Sequence, residues 1–201
     1  MILDDLLGSG SLCISFIKSN FFQVRNEFGD IIFRTLSSDW VEREFVLNSN
    51  FDYLKFTNES HLEKVNCLIW QPKSIKSDIV VFLSNMPDGW PTLLNVYFSK
   101  YNHDIISIVL SADTQKFPLY RFEFKNGAKQ RIIQSIKDSD KWEFFQSGLV
   151  LPFEKTENYK SRKVSDRLNN DIIKGYLLEN GISLEVSDFW LSNGNAVEYT
   201  H

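Results

Sequence analysis

The stretch that most constrains this chain runs from Ser77 to Leu110. Ile79-Val80-Val81-Phe82-Leu83 is an unbroken apolar run rich in β-branched residues, which suits a strand buried on both faces. Turn formers follow at Ser84-Asn85-Met86-Pro87-Asp88-Gly89. Pro91 then stands where a helix begins, because a first-turn residue needs no N–H partner. Leu94, Tyr97, Phe98 and Tyr101 recur at three- and four-residue spacing and share one helix face. Asn102-His103-Asp104 ends that helix, and Ile105 to Leu110 is a second apolar strand. A strand, a short helix and a strand in one sheet predict a parallel pair with a right-handed crossover. Trp90, at the helix start, is either core or surface on this pattern alone.

The rest of the chain divides by hydrophobic period. Ser11 to Lys18 predicts a short strand. Phe21–Arg25 and Ile31–Leu36 flank Asn26-Glu27-Phe28-Gly29-Asp30, which predicts a hairpin with Gly29 at the turn. Trp40 to Leu47 alternates, placing Val41, Phe45 and Leu47 on one face of a half-buried strand with Arg43 as the exception. The core or surface placement of Trp40 stays open. Tyr53 to Phe56 is ambiguous. Ser60-His61-Leu62-Glu63 fits a capping box, and Cys67 to Trp70 predicts a strand.

Beyond Leu110, Pro118–Phe124 alternates and Asn126-Gly127 is a strong hairpin signal. Ile132, Ile133 and Ile136 suit a returning strand, although a helix over 128–137 fits the same residues. Trp142–Phe145 completes a meander over 118–147. From Tyr159 the period changes. Val164, Leu168, Ile172, Ile173, Tyr176 and Leu177 predict a long amphipathic helix over about 159–179, stopped at Asn180-Gly181. The tail is expected to dock through Phe189 and Trp190, with its last residues frayed. Together these elements predict an α+β fold. Its sheet is mixed and mostly antiparallel, with one β-α-β unit at 77–110. The chain is read as a single domain over 1–201, with residues 1–72 as an alternative β-rich subdomain.

Composition narrows the function classes. The 201 residues carry a net charge of -4, which argues against a general nucleic-acid binder, whose affinity rests on a basic surface. The acidic start Met1-Ile2-Leu3-Asp4-Asp5 lacks the positive charge of a signal peptide. No apolar run approaches the roughly 20 residues of a membrane span. Two cysteines, Cys13 and Cys67, in a chain without a leader are expected to be reduced, and the protein cytoplasmic.

No stretch carries a catalytic, cofactor or metal motif. The three histidines, His61, His103 and His201, and the two cysteines match no metal spacing. Phosphate loops and nucleophile elbows are missing. Cys67, between apolar neighbours, is expected to be a structural thiol rather than a nucleophile paired with His61. The sequence therefore predicts a non-enzymatic protein with no cofactor and no metal. Two groups of residues stand out as candidate binding positions. Asn85, Asp88 and Trp90 would lie at the carboxyl end of a strand in the β-α-β unit, where ligands gather in open α/β sheets. For Asp88 the competing reading is a cap or turn. Arg162 and Arg167, with Lys160, Lys163 and Lys174, form a basic cluster next to Tyr159 that would contact an anion or a partner; the competing reading is a solvated helix face.

Asn85, Asp88-Gly89-Trp90-Pro91-Thr92-Leu93, Trp142-Glu143-Phe144-Phe145, Leu151-Pro152-Phe153-Glu154 and Tyr159–Leu168 together resemble small bacterial proteins of the toxin-immunity or uncharacterised type. The resemblance spans residues 77–180. It implies a cytoplasmic binding protein that blocks a toxin effector domain, and it carries no catalytic residue. The mild acidity would complement a basic toxin. Two other readings remain: a small-ligand protein or enzyme with a pocket near Asn85, Asp88 and Trp90, and a structural subunit of a larger assembly.

Overall fold

The structure is a computed structural model that describes residues 2–8, 10–37, 39–58 and 64–201. Five helices and nine strands are described. They are α1 (Ile2–Gly8), β1 (Ser11–Lys18), α2 (Phe21–Ile31), β2 (Val41–Phe45), α3 (Tyr53–Asn58), β3 (Asn66–Pro72) and β4 (Val80–Ser84). They continue as α4 (Pro91–Tyr101), β5 (Asp104–Ser111), β6 (Leu119–Asn126), β7 (Lys129–Asp138), β8 (Lys141–Ser147), α5 (Asn170–Glu179) and β9 (Ser192–Thr200). The fold is α+β. One open sheet runs β2-β9-β3-β4-β1-β5-β6-β7-β8, and every neighbouring pair in it is antiparallel.

The expected β-α-β unit is present with one difference. β4, α4 and β5 follow one another and the two strands point the same way, but they do not touch. β1 lies between them, with Ile14 opposite Leu83 on one side and Ile108 on the other. The sheet is therefore antiparallel throughout rather than mixed. The cause is β1 itself. Leu12, Ile14 and Phe16 bury into the core on one side of the sheet and Ile17 into the core on the other. A strand apolar on both faces is stable only inside the sheet.

Helices cover both sides unequally. On one side α1, α3 and α5 pack on Trp70, Phe122 and Ile133, together with Phe189 and Trp190. The Trp70 and Trp190 indoles each donate to a backbone carbonyl, of Phe189 (3.0 Å) and Leu184 (2.8 Å). On the other side α2 and α4 cover Ile69, Val80, Phe82, Ile105, Val197 and Tyr199. No helix among the described residues is long and apolar enough to cross a membrane.

Four expectations are corrected. The hairpin expected over 21–36 is instead the helix α2, continued by a π-helical turn at Ile32–Leu36. Asn20 accepts from the Gln23 N–H (2.9 Å) and so caps it. Phe21, Val24, Phe28 and Ile31 then fall on one buried face at helical spacing, and Gly29 sits inside the helix. The helix expected over 159–179 begins only at Asn170. The chain breaks at Ser161, which is extended (φ -55°, ψ 138°), and makes single turns at 158–160 and 164–166. Asn169 caps the true start by accepting from the Ile172 N–H (3.0 Å). The tail does not fray: β9 is inserted between β2 and β3. On β2, Val41 is exposed, whereas Trp40 and Leu47 are buried.

Several expectations are met as stated. Pro91 opens α4. The meander forms as β6, β7 and β8, and residues 128–137, open between strand and helix, belong to β7. The Tyr53–Phe56 segment, ambiguous in the sequence, belongs to the helix α3. The capping box at Ser60–Glu63 lies outside the described residues. The strands of residues 1–72 are spread through the common sheet, with β1 at its middle and β2 and β3 separated by β9.

Phe28 is the anchor of α2. Its ring stacks between Tyr97 (4.4 Å) and Phe82 (5.2 Å). Phe28→Ala is expected to cost about 3–5 kcal/mol of stability, measured by urea denaturation. An effect near zero would mean that residues 21–36 do not pack as this helix.

Candidate functional site

Asn85, Asp88 and Trp90 lie together in the β4–α4 connection, but their polar groups are occupied. Asn85 is buried. Its side-chain Oδ1 accepts from the Asn66 N–H and its Nδ2 donates to the Lys64 carbonyl, both at 2.9 Å. It fastens the entry to β3 onto the end of β4. Asp88 is exposed and accepts from the Trp90 N–H (2.9 Å), the turn role that competes with binding. Gly89 has φ 75° and packs on β1, where a Cβ would stand 2.6 Å from that of Cys13. Only glycine fits there. Trp90 adopts the left-handed region (φ 60°), is half-buried, and stacks on the buried Trp40 at 5.6 Å. Trp40 is thus core, and Trp90 is its lid.

A cavity of about 420 Å³ opens at the carboxyl end of β4, where the sequence places a ligand. Ser84, Asn85 and Met86 line it together with Ser11, Cys13 and Gln115. Asp88 and Trp90 are not among its walls. Asp88 instead borders a small hollow of about 50 Å³ on the α4 side, beside Ser15, Ser107, Arg121 and Glu123. Cys13 separates the two spaces. Burial, and then the Asp88 charge, push its thiol up to about 12, and it donates to the Pro87 carbonyl (3.3 Å). A thiol held neutral is a poor nucleophile. Cys67 is fully buried, and burial raises its thiol too.

Tyr159 packs in the core under α1, α3 and α5, whereas Trp90 packs against the core under α2 and α4. The structure does not bring the two candidate groups together. Tyr159 belongs to a buried polar cluster that sequence reasoning missed. Arg131 and Glu154 form an ion pair at 2.6 Å with side chains 3% and 0% exposed. Arg131 Nε also donates to Glu154 (2.8 Å), and the remaining N–H groups reach Gln146 and the carbonyls of Ser147 and Gly148. The guanidinium is therefore fully partnered, as burial requires. Tyr159 donates to Glu154 (2.8 Å) and meets the Tyr176 hydroxyl at 2.9 Å. Burial, first of all, raises the Tyr159 hydroxyl well above the usual phenol range. This cluster ties the 148–160 segment to β7 and α5. One signal was available: Arg131 shares the inward face of β7 with Ile133 and Ser135.

Arg167 donates to the Ser161 carbonyl (2.9 Å) and lays its guanidinium over Phe144 at 5.6 Å. Arg162 is exposed. Of the basic trio only Arg162 is a freely accessible surface charge.

A further surface has no signal in any single stretch. Register places Arg121, Glu123 and Lys125 of β6 opposite Gln134, Ile132 and Gln130 of β7, and Gln134 and Ile136 of β7 opposite Phe145 and Glu143 of β8. They face the side that α2 and α4 cover elsewhere; α4 reaches as far as β6, where Lys125 donates to Asn95 and lies over Phe98 at 6.0 Å, and among the described residues no helix covers β7 and β8 there. Phe145 is 54% exposed, and Leu149 and Val150 follow it in the open. In the middle, Glu123 takes Arg121 (2.7 Å), Lys125 (3.0 Å) and the Gln130 amide (2.7 Å). Burial would raise its carboxyl, but the two cations and the amide hold it below the usual carboxylate range.

Two outcomes test this description. Glu154→Gln leaves the Arg131 guanidinium buried without a counter-charge and is expected to cost about 3–5 kcal/mol, read from chemical denaturation. Both thiols should stay silent toward Ellman's reagent at pH 8 in the folded protein and react once urea unfolds it; rapid reaction of Cys13 in the native state would show an open thiolate. Comparison of the chain with protein-family models, with curated proteins and with solved structures finds no match.

Proposed function

We propose that this chain is a non-catalytic binding protein that receives a protein partner on the face of β7 and β8 that no helix covers. The observation that carries this reading is the exposed Phe145, opposite Gln134 and diagonal to the half-buried Ile132 and Ile136, on a sheet face without a helix over it. The solvent side of an antiparallel sheet is ordinarily polar. Apolar side chains left there together, rimmed by Arg121, Lys125 and Glu143, have the make-up of a contact surface. Arg121 and Lys125 are already held by Glu123, so they would orient a partner rather than attract nucleic acid.

The identity of the partner rests on the sequence resemblance to toxin-immunity proteins. On that reading the partner is a toxin effector domain, the setting is the cytoplasm, and the net charge of -4 speeds encounter with a basic toxin. A second reading is supported by the cavity beside Asn85. Its walls are mostly neutral hydrogen-bonding groups, so it would take a small uncharged ligand.

Calorimetric titration with the toxin-like domain encoded beside this chain, followed by a toxin activity assay, tests the leading reading. One-to-one binding with loss of toxin activity is the expected outcome; no heat and full toxin activity would remove it. Phe145→Asp should weaken that binding by at least about tenfold, since it puts an unpaired charge into the contact. Because Phe145 already meets water, the change should alter stability by less than about 1 kcal/mol. Unchanged affinity would move the interface elsewhere.

A further inference from the structure

A second cavity, of about 480 Å³, lies on the α5 side of the sheet at the other end of β1. It belongs neither to the β4–α4 connection nor to the uncovered face of β7 and β8. Phe16 and Ile106 line it from the sheet, and Phe124, Leu151, Phe153 and Ile182 stand around them. Phe16 and Ile106 are buried, whereas Phe124, Leu151 and Phe153 keep part of their surface open. An apolar chamber of this size with few polar groups is the usual form of a small-molecule site.

The charges around it select the ligand. Lys18, Asp104 and Glu179 are the charged side chains on its lining. Lys18 stands opposite Asp104 across the β1–β5 pair, and with the exposed Glu179 the three charges leave the lining with one net negative charge. The polar amides nearby are spent. Asn180 donates to the Tyr176 carbonyl (2.8 Å) and Asn126 to Asp104 (2.6 Å). An apolar chamber bordered by two carboxylates and one ammonium complements a molecule with an apolar body and one positive charge.

We propose that this cavity binds an amphipathic amine, with its ring or chain against Phe124 and Phe153 and its ammonium at the carboxylates of Asp104 and Glu179. The argument stands on the chamber and its charges and is independent of the protein-partner reading.

The test is titration of the full chain, at pH 7 and low salt, with 2-phenylethylammonium, 2-phenylethanol and phenylacetate. These probes share a ring and differ in charge. The ammonium should bind saturably and one-to-one, roughly tenfold tighter than phenylacetate, with the alcohol between them. Asp104→Asn and Glu179→Gln should each narrow that preference. Leu151→Trp fills the chamber from its loop and should abolish binding of all three while circular dichroism stays native. Phe124→Trp serves the same purpose if the first variant does not fold. Absence of saturable amine binding, phenylacetate binding as tightly as the amine, or amine binding unchanged in a folded filled variant would each overturn the proposal.

Discussion

The position of β1 sets the rest of the architecture. Its backbone is paired along one edge with β4 and along the other with β5. Its side chains enter both cores. Removing it would separate β4 from β5 and split the sheet into two halves that share no other ladder. A buried backbone group without a partner costs as much as a lost hydrogen bond. The strand nearest the start of the chain thus joins the β2-β9-β3-β4 half of the sheet to the β5-β6-β7-β8 half. β9 does the same on a smaller scale, joining the edge strand β2 to β3.

The two faces of the sheet are treated differently, and the functional readings follow from that difference. The face under α1, α3 and α5 is covered across its width, and it closes its one buried charge pair, Arg131 with Glu154, inside a network of tyrosines and carbonyls. The face under α2 and α4 is covered only over part of its width. Between the two helices a carboxylate clamp forms. Glu27 meets Tyr97 (2.6 Å) and His103 (2.8 Å), and Asp30 takes the Tyr101 hydroxyl and the Lys100 ammonium. Past α4, which reaches β6 through Asn95 and Lys125, the sheet continues without a helix over β7 and β8 among the described residues. A protein that leaves Phe145, Ile132 and Ile136 on such a surface carries a hydrophobic exposure that its own helices could have been arranged to cover.

The candidate residues show how turn-rich local signals pick out side chains that serve the backbone. Asn85 and Asp88 were singled out because turn-rich residues follow a buried strand, and a cavity does open there. Yet both side chains serve the backbone, Asn85 by binding Asn66 and Lys64 and Asp88 by turning the chain at Trp90. Tyr159 was singled out beside basic residues and is buried, with Glu154 rather than solvent as its partner. Arg131 and Glu154 lie 23 residues apart. No spacing rule connects them, so neither stood out.

By itself, the sequence determined the elements whose signals are local. The apolar run of β4, Pro91 at the start of α4, Asn126-Gly127 between β6 and β7, and the alternation of β6 and β8 each act over a few residues, through backbone sterics and side-chain period. The α+β class follows from them. Tertiary structure alone decided which strands are neighbours, because pairing joins segments far apart in the chain and any apolar strand can satisfy another's edge. It decided that Phe21–Ile31 is helix, since Phe28 gains more between Phe82 and Tyr97 than a local hairpin could offer. It also decided where the bare face and the two cavities lie. These are properties of what packs against what, and no single stretch of residues contains them.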